Sequence, residues 1–385
     1  ALHNNLSYLP LFILILINNL VIGIDNIVVL STAGIGPACR SCRSCACSHV
    51  RIRALLCLSL FAACGEEPAA ESEEPTAESE APAAESEEPA GEEPAVEPIT
   101  IKVGYMNNYG SLWSVLTAEQ MGYMEEQGIT LELSSFADGP TIISAMESGS
   151  IDIGYIGDGA HKLCAQGNAQ IIALSHISNG DAVIGGPNVK TLEDLAGKVV
   201  AYAAGTSSEV ILTNALTKAG LTMDDITAMN MDASAIVTAM MTGDVDACAL
   251  WSPESLTVLE QVEGTTVLAD NVTFSDTSIS LASWIAMPDR VEAERDMFLR
   301  FVTALFEGMD YSADEHHDEV AQWVADLLAL SYEDVYKQRG DADWLTGKEV
   351  YEGVQDGTVE GYYELQQELM ISSGNLEEPV PVENY

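Results

Sequence analysis

The sequence predicts an α/β protein with two similar lobes, each a mostly parallel sheet flanked by helices. Strand-like segments begin near residues 99, 129, 151 and 170, and the stretches between them have the spacing of amphipathic helices. The same alternation restarts at Lys198. An internal repeat supports the restart, because AMESGSID at 145–152 aligns with AMMTGDVD at 239–246. Alternating strands and helices predict parallel sheets, and the repeat predicts two of them.

The composition supports a large folded body and argues against some partners. The chain has 385 residues, of which 47% are hydrophobic, enough for a sizeable core. Lys and Arg number 15 against 60 Asp and Glu, giving a net charge of -45. A protein this acidic is not expected to bind nucleic acid or an anionic membrane surface.

The cysteines do not predict a disulfide framework or a metal centre. Six of the eight precede residue 65, which leaves Cys164 and Cys248 in the body. Those two fit small buried side chains better than a bridge, although the sequence leaves their pairing open. The run CRSCRSCAC at 39–47 superficially resembles a metal-binding segment, but no globular context surrounds it. No metal and no cofactor are predicted.

Residues 1–63 are expected to be absent from the mature protein. Residues 1–48 form an apolar, Cys-rich upstream segment. Residues 49–63 combine a basic flank, an apolar core and small residues, as a secretory signal peptide does. Together with Cys64 they resemble a bacterial lipoprotein lipobox, which implies cleavage before Cys64 and attachment of diacylglycerol to its sulfur. The alternative is a two-segment membrane anchor, since 9–35 is apolar enough to span a bilayer.

Residues 64–98 are predicted to be an extended acidic linker of Pro, Glu, Ala and Ser. The motifs AESEEP, AESEAP and AESEEP begin at Ala70, Ala77 and Ala84, seven residues apart. Proline in every repeat and the lack of large apolar residues exclude a coiled coil. Charge repulsion and proline stiffness should keep this segment extended between the lipid anchor and the body.

The body divides into two predicted lobes. Residues 99–180 and 287–385 are assigned to lobe 1 and residues 181–286 to lobe 2. The chain would cross between them at 179–186 and 279–288, which makes these segments the predicted two-strand hinge. Loops from the carboxyl ends of the strands would then face each other across a cleft, where ligands of such sheets bind.

One helix start in lobe 2 has the residues of an anion-binding site. A strand-like run at 199–203 enters a turn at Gly205, and Thr206, Ser207 and Ser208 stand where the next helix must begin. A helix N-terminus offers unpaired N–H groups and a partial positive charge, and hydroxyl residues there can donate to an oxyanion. The alternative is a plain helix cap.

The body resembles the solute-binding proteins of bacterial ABC importers, in the sulfonate, taurine and nitrate branch. The resemblance depends on GPTIISAMESGSIDIGYIGDG, KTLEDLAGKVVAYAAGTSSEVILTNALTKAG, GDVDACALWSPE and the closing LSYEDVYKQ and LEEPVPVENY. It covers nearly all of 99–385. This family shares its fold with binding proteins for thiamine pyrimidine precursors. The resemblance implies the two-lobed, type II periplasmic-binding-protein-like fold.

The resemblance also implies which residues contact the ligand. Asp158 could hold a ligand ammonium group or cap its own helix, and Trp251 could cover the apolar part of the ligand or belong to the core. The implied contacts lie after the first strand, after the third strand, at the helix start of lobe 2 and after its last repeat strand: Asn107, Asn108, Tyr109, Gly110, Ser111, Gly157, Asp158, Thr206, Ser207, Ser208 and Trp251.

The sequence and the resemblance together predict a receptor and not an enzyme. The expected protein is a lipid-anchored, extracytoplasmic monomer that captures a small organosulfonate, such as an alkanesulfonate or taurine, or a related oxyanion. It would deliver this ligand to an ABC permease driven by a separate ATPase, since the chain has no GxxxxGK[ST] loop. GTSSE is not the nucleophile elbow GxSxG. The alternatives are a receptor for a thiamine pyrimidine precursor, an enzyme on the same fold, and a sensor that docks on a membrane signalling protein.

Overall fold

The structure, a computed structural model, describes residues 97–385. The upstream segment at 1–48, the signal peptide at 49–63, Cys64 and all but the last two residues of the linker lie outside the described residues. The expectations for them stay predictions. Within 97–385, every helix is too short or too polar to cross a bilayer.

The described residues form two sheets. The strands are β1 (Ile99–Met106), β2 (Ile129–Phe136), β3 (Ile153–Ile156), β4 (Gln170–Ser178), β5 (Ala182–Gly185), β6 (Val199–Tyr202), β7 (Thr227–Asn230), β8 (Ala247–Leu250), β9 (Thr266–Asp270), β10 (Leu281–Ala286) and β11 (Ala342–Trp344). The first sheet has the order β11-β4-β10-β3-β1-β2, and the second has the order β7-β6-β8-β5-β9. The predicted α/β fold with two sheets is confirmed.

Helices cover both sheets. They are α1 (Tyr109–Gln120), α2 (Tyr123–Glu126), α3 (Gly139–Glu147), α4 (His161–Ala165), α5 (Ser207–Lys218), α6 (Ala233–Thr242), α7 (Glu254–Gln261), α8 (Pro288–Ala293), α9 (Arg295–Ser312), α10 (His317–Leu328), α11 (Tyr332–Lys337), α12 (Gly347–Asp356) and α13 (Thr358–Ser372). A short 3-10 turn, Asp158–Ala160, precedes α4.

Each sheet is mixed in direction, and the reversed strands include those that carry the chain between lobes. β1 pairs in parallel with β2 and β3, and β6 pairs in parallel with β7 and β8. β5 enters the second sheet antiparallel to β8 and β9, and β10 returns to the first sheet antiparallel to β3 and β4. Strand-helix-strand repeats produce the parallel pairs, whereas each of these two strands arrives from the other lobe and is inserted in reverse.

The internal repeat of the sequence forms the same pair of hydrogen bonds between neighbouring strands in both lobes. Asp152 precedes β3, and its carboxylate accepts a hydrogen bond of 2.8 Å from the backbone N–H of Lys102 on β1. Asp246 precedes β8 and accepts one of 2.9 Å from the backbone N–H of Val199 on β6. In each case the backbone N–H of the Asp donates a hydrogen bond of 2.8 Å to the backbone carbonyl of the same partner residue. The repeated Asp thus fixes the register of two neighbouring parallel strands.

The apolar stripe of α9 belongs to the core of lobe 1. Phe298 and Phe301 are fully buried, and the Phe301 ring packs against Trp284 of β10 with 5.9 Å between ring centroids. The second sheet has a separate core on each of its two faces. Each lobe therefore buries its own apolar side chains, and a rigid-body motion between lobes would leave both cores intact.

The second crossing lies one strand earlier than predicted. β10 belongs to the first sheet, so Leu281–Ala286 was wrongly assigned to lobe 2. The two connections run from β4 to β5 and from β9 to β10. Asp181 in the first connection forms hydrogen bonds with residues of the second. Its carboxylate accepts hydrogen bonds from Asn271 Nδ2 at 2.9 Å and from Ser280 Oγ at 3.0 Å. The run at 281–286 is apolar and short, so sequence could not say which sheet it joins.

The two cysteines of the body do not pair. Cys164 on α4 and Cys248 on β8 are both free thiols, and both are buried. Burial raises the pKa of each thiol to about 12. They are small core side chains with little thiolate character, which answers the question that the sequence left open.

Candidate ligand-binding site

A cavity of about 680 Å³, its open mouth included, lies between the two sheets. It is bounded by residues that follow the carboxyl ends of β1, β3, β4 and β8, the edge at which both sheets present their loops. Among the predicted contacts that line it are Asn108, Gly110, Gly157, Asp158, Thr206, Ser207 and Trp251. Asn107, Tyr109, Ser111 and Ser208 do not line it.

The first loop contributes less to the cavity than the resemblance implied. The Asn108 side chain caps α1 by accepting a hydrogen bond of 2.9 Å from the Ser111 backbone N–H. Ser111 is fully buried, and its hydroxyl donates back to the Met106 carbonyl. Tyr109 is also fully buried, with its hydroxyl 2.9 Å from His317 Nδ1. Exposed Asn107 accepts a hydrogen bond from Ser135 Oγ on the neighbouring strand.

The hydroxyl residues at the start of α5 divide into two roles. Thr206 is the N-cap, and its Oγ1 accepts a hydrogen bond of 3.2 Å from the Ser208 N–H. Gly205, with φ of +76°, makes the preceding turn. Ser207 faces the cavity beside Asp181, and its hydroxyl favours the charged form of that carboxyl group, which lowers its pKa against the effect of burial. Thr206 and Ser207 thus remain candidates for ligand binding at a helix N-terminus.

The Ser208 side chain links two neighbouring strands by hydrogen bonds and does not line the cavity. Its hydroxyl accepts a hydrogen bond of 3.0 Å from the Ala203 N–H and donates one of 2.8 Å to the Ala249 carbonyl. The side chain is fully buried. Consecutive residues on a helix point about 100° apart, so Ser207 and Ser208 cannot both face the cavity.

We expect Ser208→Ala to lower the free energy of unfolding by about 2 kcal/mol, because two buried backbone groups lose their partner. Urea unfolding of the purified body measures this. The matched control is Ser134→Ala, an exposed serine on β2, which should change stability by less than about 0.5 kcal/mol. Equal stability of Ser208→Ala and wild type would contradict this role of the Ser208 hydroxyl.

Several cavity residues were not predicted. An aromatic wall is formed by Tyr155, His176 and Trp344, with the Tyr155 and His176 rings stacked at 6.1 Å and the His176 and Trp344 rings 4.8 Å apart. Burial lowers the pKa of His176 to about 3, so this imidazole is neutral. The three residues come from β3, β4 and β11, and nothing local in the sequence indicates that they meet.

Three carboxyl groups face the same cavity, of which Asp158 and Asp181 are buried and Asp341 is half-buried. Asp158 was predicted, whereas Asp181 in the first connection and Asp341 just before β11 were not. Burial raises the pKa of Asp158 to about 7 and that of Asp341 to about 6, and it also raises the pKa of Asp181. The charge of Asp181 adds to the shift of both other groups. No Lys or Arg is among the described residues that line the cavity.

The Asp158 side chain hydrogen-bonds distant parts of lobe 1 and not its own turn. Its Oδ1 accepts a hydrogen bond from Gln366 Nε2 on α13, and a second of 3.4 Å from the Leu281 N–H. Gln366 in turn lies 3.2 Å from His161 Nδ1, whose other ring nitrogen is 2.8 Å from Ser283 Oγ. Asp158 is therefore held by neutral donors from distant parts of lobe 1.

The lobes touch directly beside the cavity. A Cβ atom added to Gly159 would lie 2.2 Å from the carbonyl carbon and oxygen of Thr206, so the backbones meet here with no room for a side chain. Lys162 of α4 and Glu209 of α5 form an ion pair of 3.9 Å across the same contact. Among the described residues, no group of three or more His, Cys, Asp or Glu side chains could hold a metal ion.

The chain is similar to one family model and to proteins that are named as binding proteins. The family model described as NMT1/THI5 like matches residues 111–318. A protein of Brucella abortus (strain 2308), named only as a binding protein, is 29% identical over 287 residues, which are 74% of this chain and 90% of the relative. A protein of Escherichia coli (strain K12), named as an aliphatic sulfonates-binding protein, is 28% identical over 242 residues, 60% of this chain and 73% of the relative.

Solved structures share the fold. The periplasmic aliphatic sulphonate binding protein SsuA from Escherichia coli matches with a TM-score of 0.55 at 20% identity, covering 75% of this chain and 92% of that one. The desulfurization enzyme DszB matches with a TM-score of 0.53 at 17% identity, covering 74% of this chain and 95% of that one. The fold by itself thus supports binding in one protein and catalysis in another.

These findings confirm the resemblance to sulfonate-binding proteins and the predicted fold. The two relatives described above are named as binding proteins and not as enzymes. Because the family match covers residues 111–318, more than half of the chain, this protein belongs to the NMT1/THI5-like family.

Proposed function

We propose that this protein is the extracytoplasmic substrate-binding receptor of an ABC importer. It captures a small organic ligand between its lobes and delivers it to a permease that a separate ATPase drives. The observation that carries the proposal is the cavity at the facing carboxyl ends of two sheets, with the lobes in contact beside it at Gly159 and Thr206. A two-lobed protein whose lobes close over a central site suits capture and release.

The names of the relatives favour an organosulfonate as the ligand. The start of α5, with Thr206 and Ser207 on the cavity wall, offers N–H groups and a positive dipole end for a sulfonate oxygen. Asp158 stands in the same cavity and suits the ammonium group of a zwitterion such as taurine. Trp251 supplies an apolar face for the carbon chain.

The second candidate ligand is a thiamine pyrimidine precursor. The aromatic rings of Tyr155, Trp251 and Trp344 line the cavity and could stack on a planar ring. A carboxylate such as Asp158 suits the exocyclic amine of an aminopyrimidine.

The N-terminal region fits the same role. Cleavage before Cys64 and lipid attachment to its sulfur would hold the receptor at the outer face of the cell membrane, with 64–98 as an acidic spacer. Two lobes with separate cores make a monomer sufficient for binding. The body needs no membrane contact of its own in this arrangement.

We expect a cognate ligand, present at one hundred times its dissociation constant, to stabilise the fold by about 2.7 kcal/mol. For a body of this size that is a rise in melting temperature of about 5 °C. The measurement is a thermal-shift screen of taurine, ethanesulfonate, nitrate and a hydroxymethylpyrimidine, with affinities from calorimetry. Native mass spectrometry of the gently purified body should also find a retained ligand.

Two results would contradict the receptor role. One is a body that retains no ligand and responds to no compound in the screen. The other is chemical conversion, because a receptor returns its ligand unchanged whereas an enzyme on this fold turns it over. Incubating the bound compound with the protein and analysing it afterwards by mass spectrometry separates these cases.

A further inference from the structure

We propose that one end of the cavity, formed by Asp158, Asp181 and Asp341, is a binding site for a positively charged nitrogen of the ligand. The inference builds on the proposed receptor function and names the chemical class of its substrate. The ligand carries a protonated amine or an amidinium group, and this group distinguishes it from plain alkanesulfonates and from nitrate.

The three carboxyl groups come from separate segments that the fold brings together. Asp158 follows β3, Asp181 lies between β4 and β5, and Asp341 precedes β11. All three line the main cavity, and Asp158 and Asp181 also line a smaller adjoining void together with Ser207 and Ser280. Among the described residues, the rest of the cavity wall is mainly aromatic or small and includes one further carboxylate, Asp138.

The protein supplies these carboxyl groups with neutral donors only. Asp158 accepts hydrogen bonds from Gln366 and the Leu281 N–H, and Asp181 accepts them from the side chains of Asn271 and Ser280. The Oδ2 atom of Asp341 is buried and makes no hydrogen bond of normal geometry within the described residues. Neutral donors leave the negative charges uncompensated.

Two lysines near the cavity pair with other carboxylates, and Arg339 donates to the Tyr336 carbonyl and lies over the Tyr336 ring. Lys162 lies close to the lobe contact but pairs with Glu209 at 3.9 Å. Lys337 pairs with Glu260 at 2.6 Å, away from the cavity wall. Buried carboxylates without a counter-ion are costly, and a cation brought by the ligand would remove that cost at the moment of binding. An anion would instead add a fourth negative charge to this end of the cavity.

The aromatic residues of the cavity suit a ligand with a cationic nitrogen. Tyr155, Trp251 and Trp344 line the cavity, and the face of an aromatic ring attracts ammonium and amidinium groups. The net charge of the chain, -45, also raises the local concentration of cations over that of anions. Carboxylates, ring faces and the long-range field therefore all favour a ligand with a cationic nitrogen.

The test uses pairs of compounds that differ only in this nitrogen. Taurine is compared with isethionate, in which a hydroxyl replaces the ammonium group, and an aminopyrimidine with its hydroxypyrimidine counterpart. Ethanolamine is compared with ethylene glycol as a pair that contains neither a sulfonate nor a ring. We expect at least one nitrogen compound to bind, and to bind roughly 10- to 100-fold more tightly than its partner, as a hydrogen bond between charged groups predicts.

Variants show whether the carboxyl groups cause the preference. Asp341→Asn and Asp158→Asn keep the shape of the side chain and should reduce the preference within a pair to about threefold or less. Asp276→Asn, an exposed position outside the cavity wall, should keep the full preference. A purely structural role of the carboxyl groups would weaken both members of a pair equally and would overturn the proposal.

Different results would overturn the cationic site and the receptor function. Binding of isethionate, ethanesulfonate or nitrate as tightly as any nitrogen compound overturns the cationic site and leaves the receptor standing. Absence of binding by every nitrogen compound also overturns it. The receptor function is judged separately, by whether native mass spectrometry finds any retained ligand.

Discussion

Replacing Gly159 by alanine is expected to weaken ligand binding by about 100-fold or more. The added Cβ would overlap the backbone of Thr206 at 2.2 Å, and backbone cannot move aside as a flexible side chain can. Gly159 lies in lobe 1 and Thr206 in lobe 2, so the overlap exists only while the lobes are in contact. If closure falls to a population of about 1%, the apparent affinity falls by the same factor.

Calorimetry with whichever screened compound binds the wild type measures this change. Gly361→Ala is the matched control, because a Cβ at this exposed helical position meets nothing within 4 Å. It should bind like the wild type. Solution scattering should show the wild type contracting on ligand binding, by hinge motion at the two connections between lobes, and Gly159→Ala failing to contract. An unchanged affinity in Gly159→Ala would mean that binding does not need this lobe contact.

The second large effect is a pH dependence of stability that arises from Asp158. Its pKa is raised by burial to about 7 in the folded protein, against 3.8 for an ordinary Asp. A raised folded pKa contributes stability that is fully present below the unfolded pKa and is lost as the pH rises through the folded pKa. Between pH 5 and pH 8 this carboxyl group alone should cost the ligand-free fold about 3 kcal/mol.

Other buried groups act on the same scale, and a variant separates their effects. Burial raises the pKa of Asp341 to about 6, so this group also lowers the stability of the fold as the pH rises. Burial lowers the pKa of His161 to about 4 and that of His176 to about 3, and these contribute stability that is present above about pH 6.5 and lost as the pH falls. Only the difference between wild type and a variant therefore isolates Asp158.

Asp158→Asn mimics the protonated side chain at every pH. Relative to wild type, it should gain about 3 kcal/mol between pH 5 and pH 8, measured by urea unfolding of ligand-free protein. Asp276→Asn removes an exposed carboxylate outside the cavity and should show no such trend. A constant difference between Asp158→Asn and wild type over this range would show that Asp158 is not desolvated in the ligand-free protein.

Much of the fold could be predicted because its determinants are local. Apolar periodicity located β1, β2, β3, β4 and β6, since each strand carries its own pattern. The repeated AMESGSID and AMMTGDVD segments identified two similar lobes, and the structure adds that Asp152 and Asp246 hold equivalent strand pairs. The start of α5 at Ser207, with Thr206 as its cap, also follows from local capping chemistry.

The resemblance to a family located the site only in part. It identified the loops around the cavity, because loops after the carboxyl ends of strands keep their positions in a shared fold. It did not say which side chain in each loop faces inward. Tyr109, Ser111 and Ser208 turn into the core, while Asn107 lies on the surface. One step along a helix or strand is enough to reverse the direction of a side chain.

The sequence by itself determined the two-lobed α/β fold, the repeat and the position of the helix start that faces the cavity, because each depends on residues close together in the chain. Only the tertiary structure decided that β10 returns to the first sheet and that Asp158, Asp181 and Asp341 meet beside Tyr155, His176 and Trp344. These residues are separated by up to 189 positions in the sequence, from 155 to 344. The packing of distant strands brings them together, and no local pattern encodes that packing.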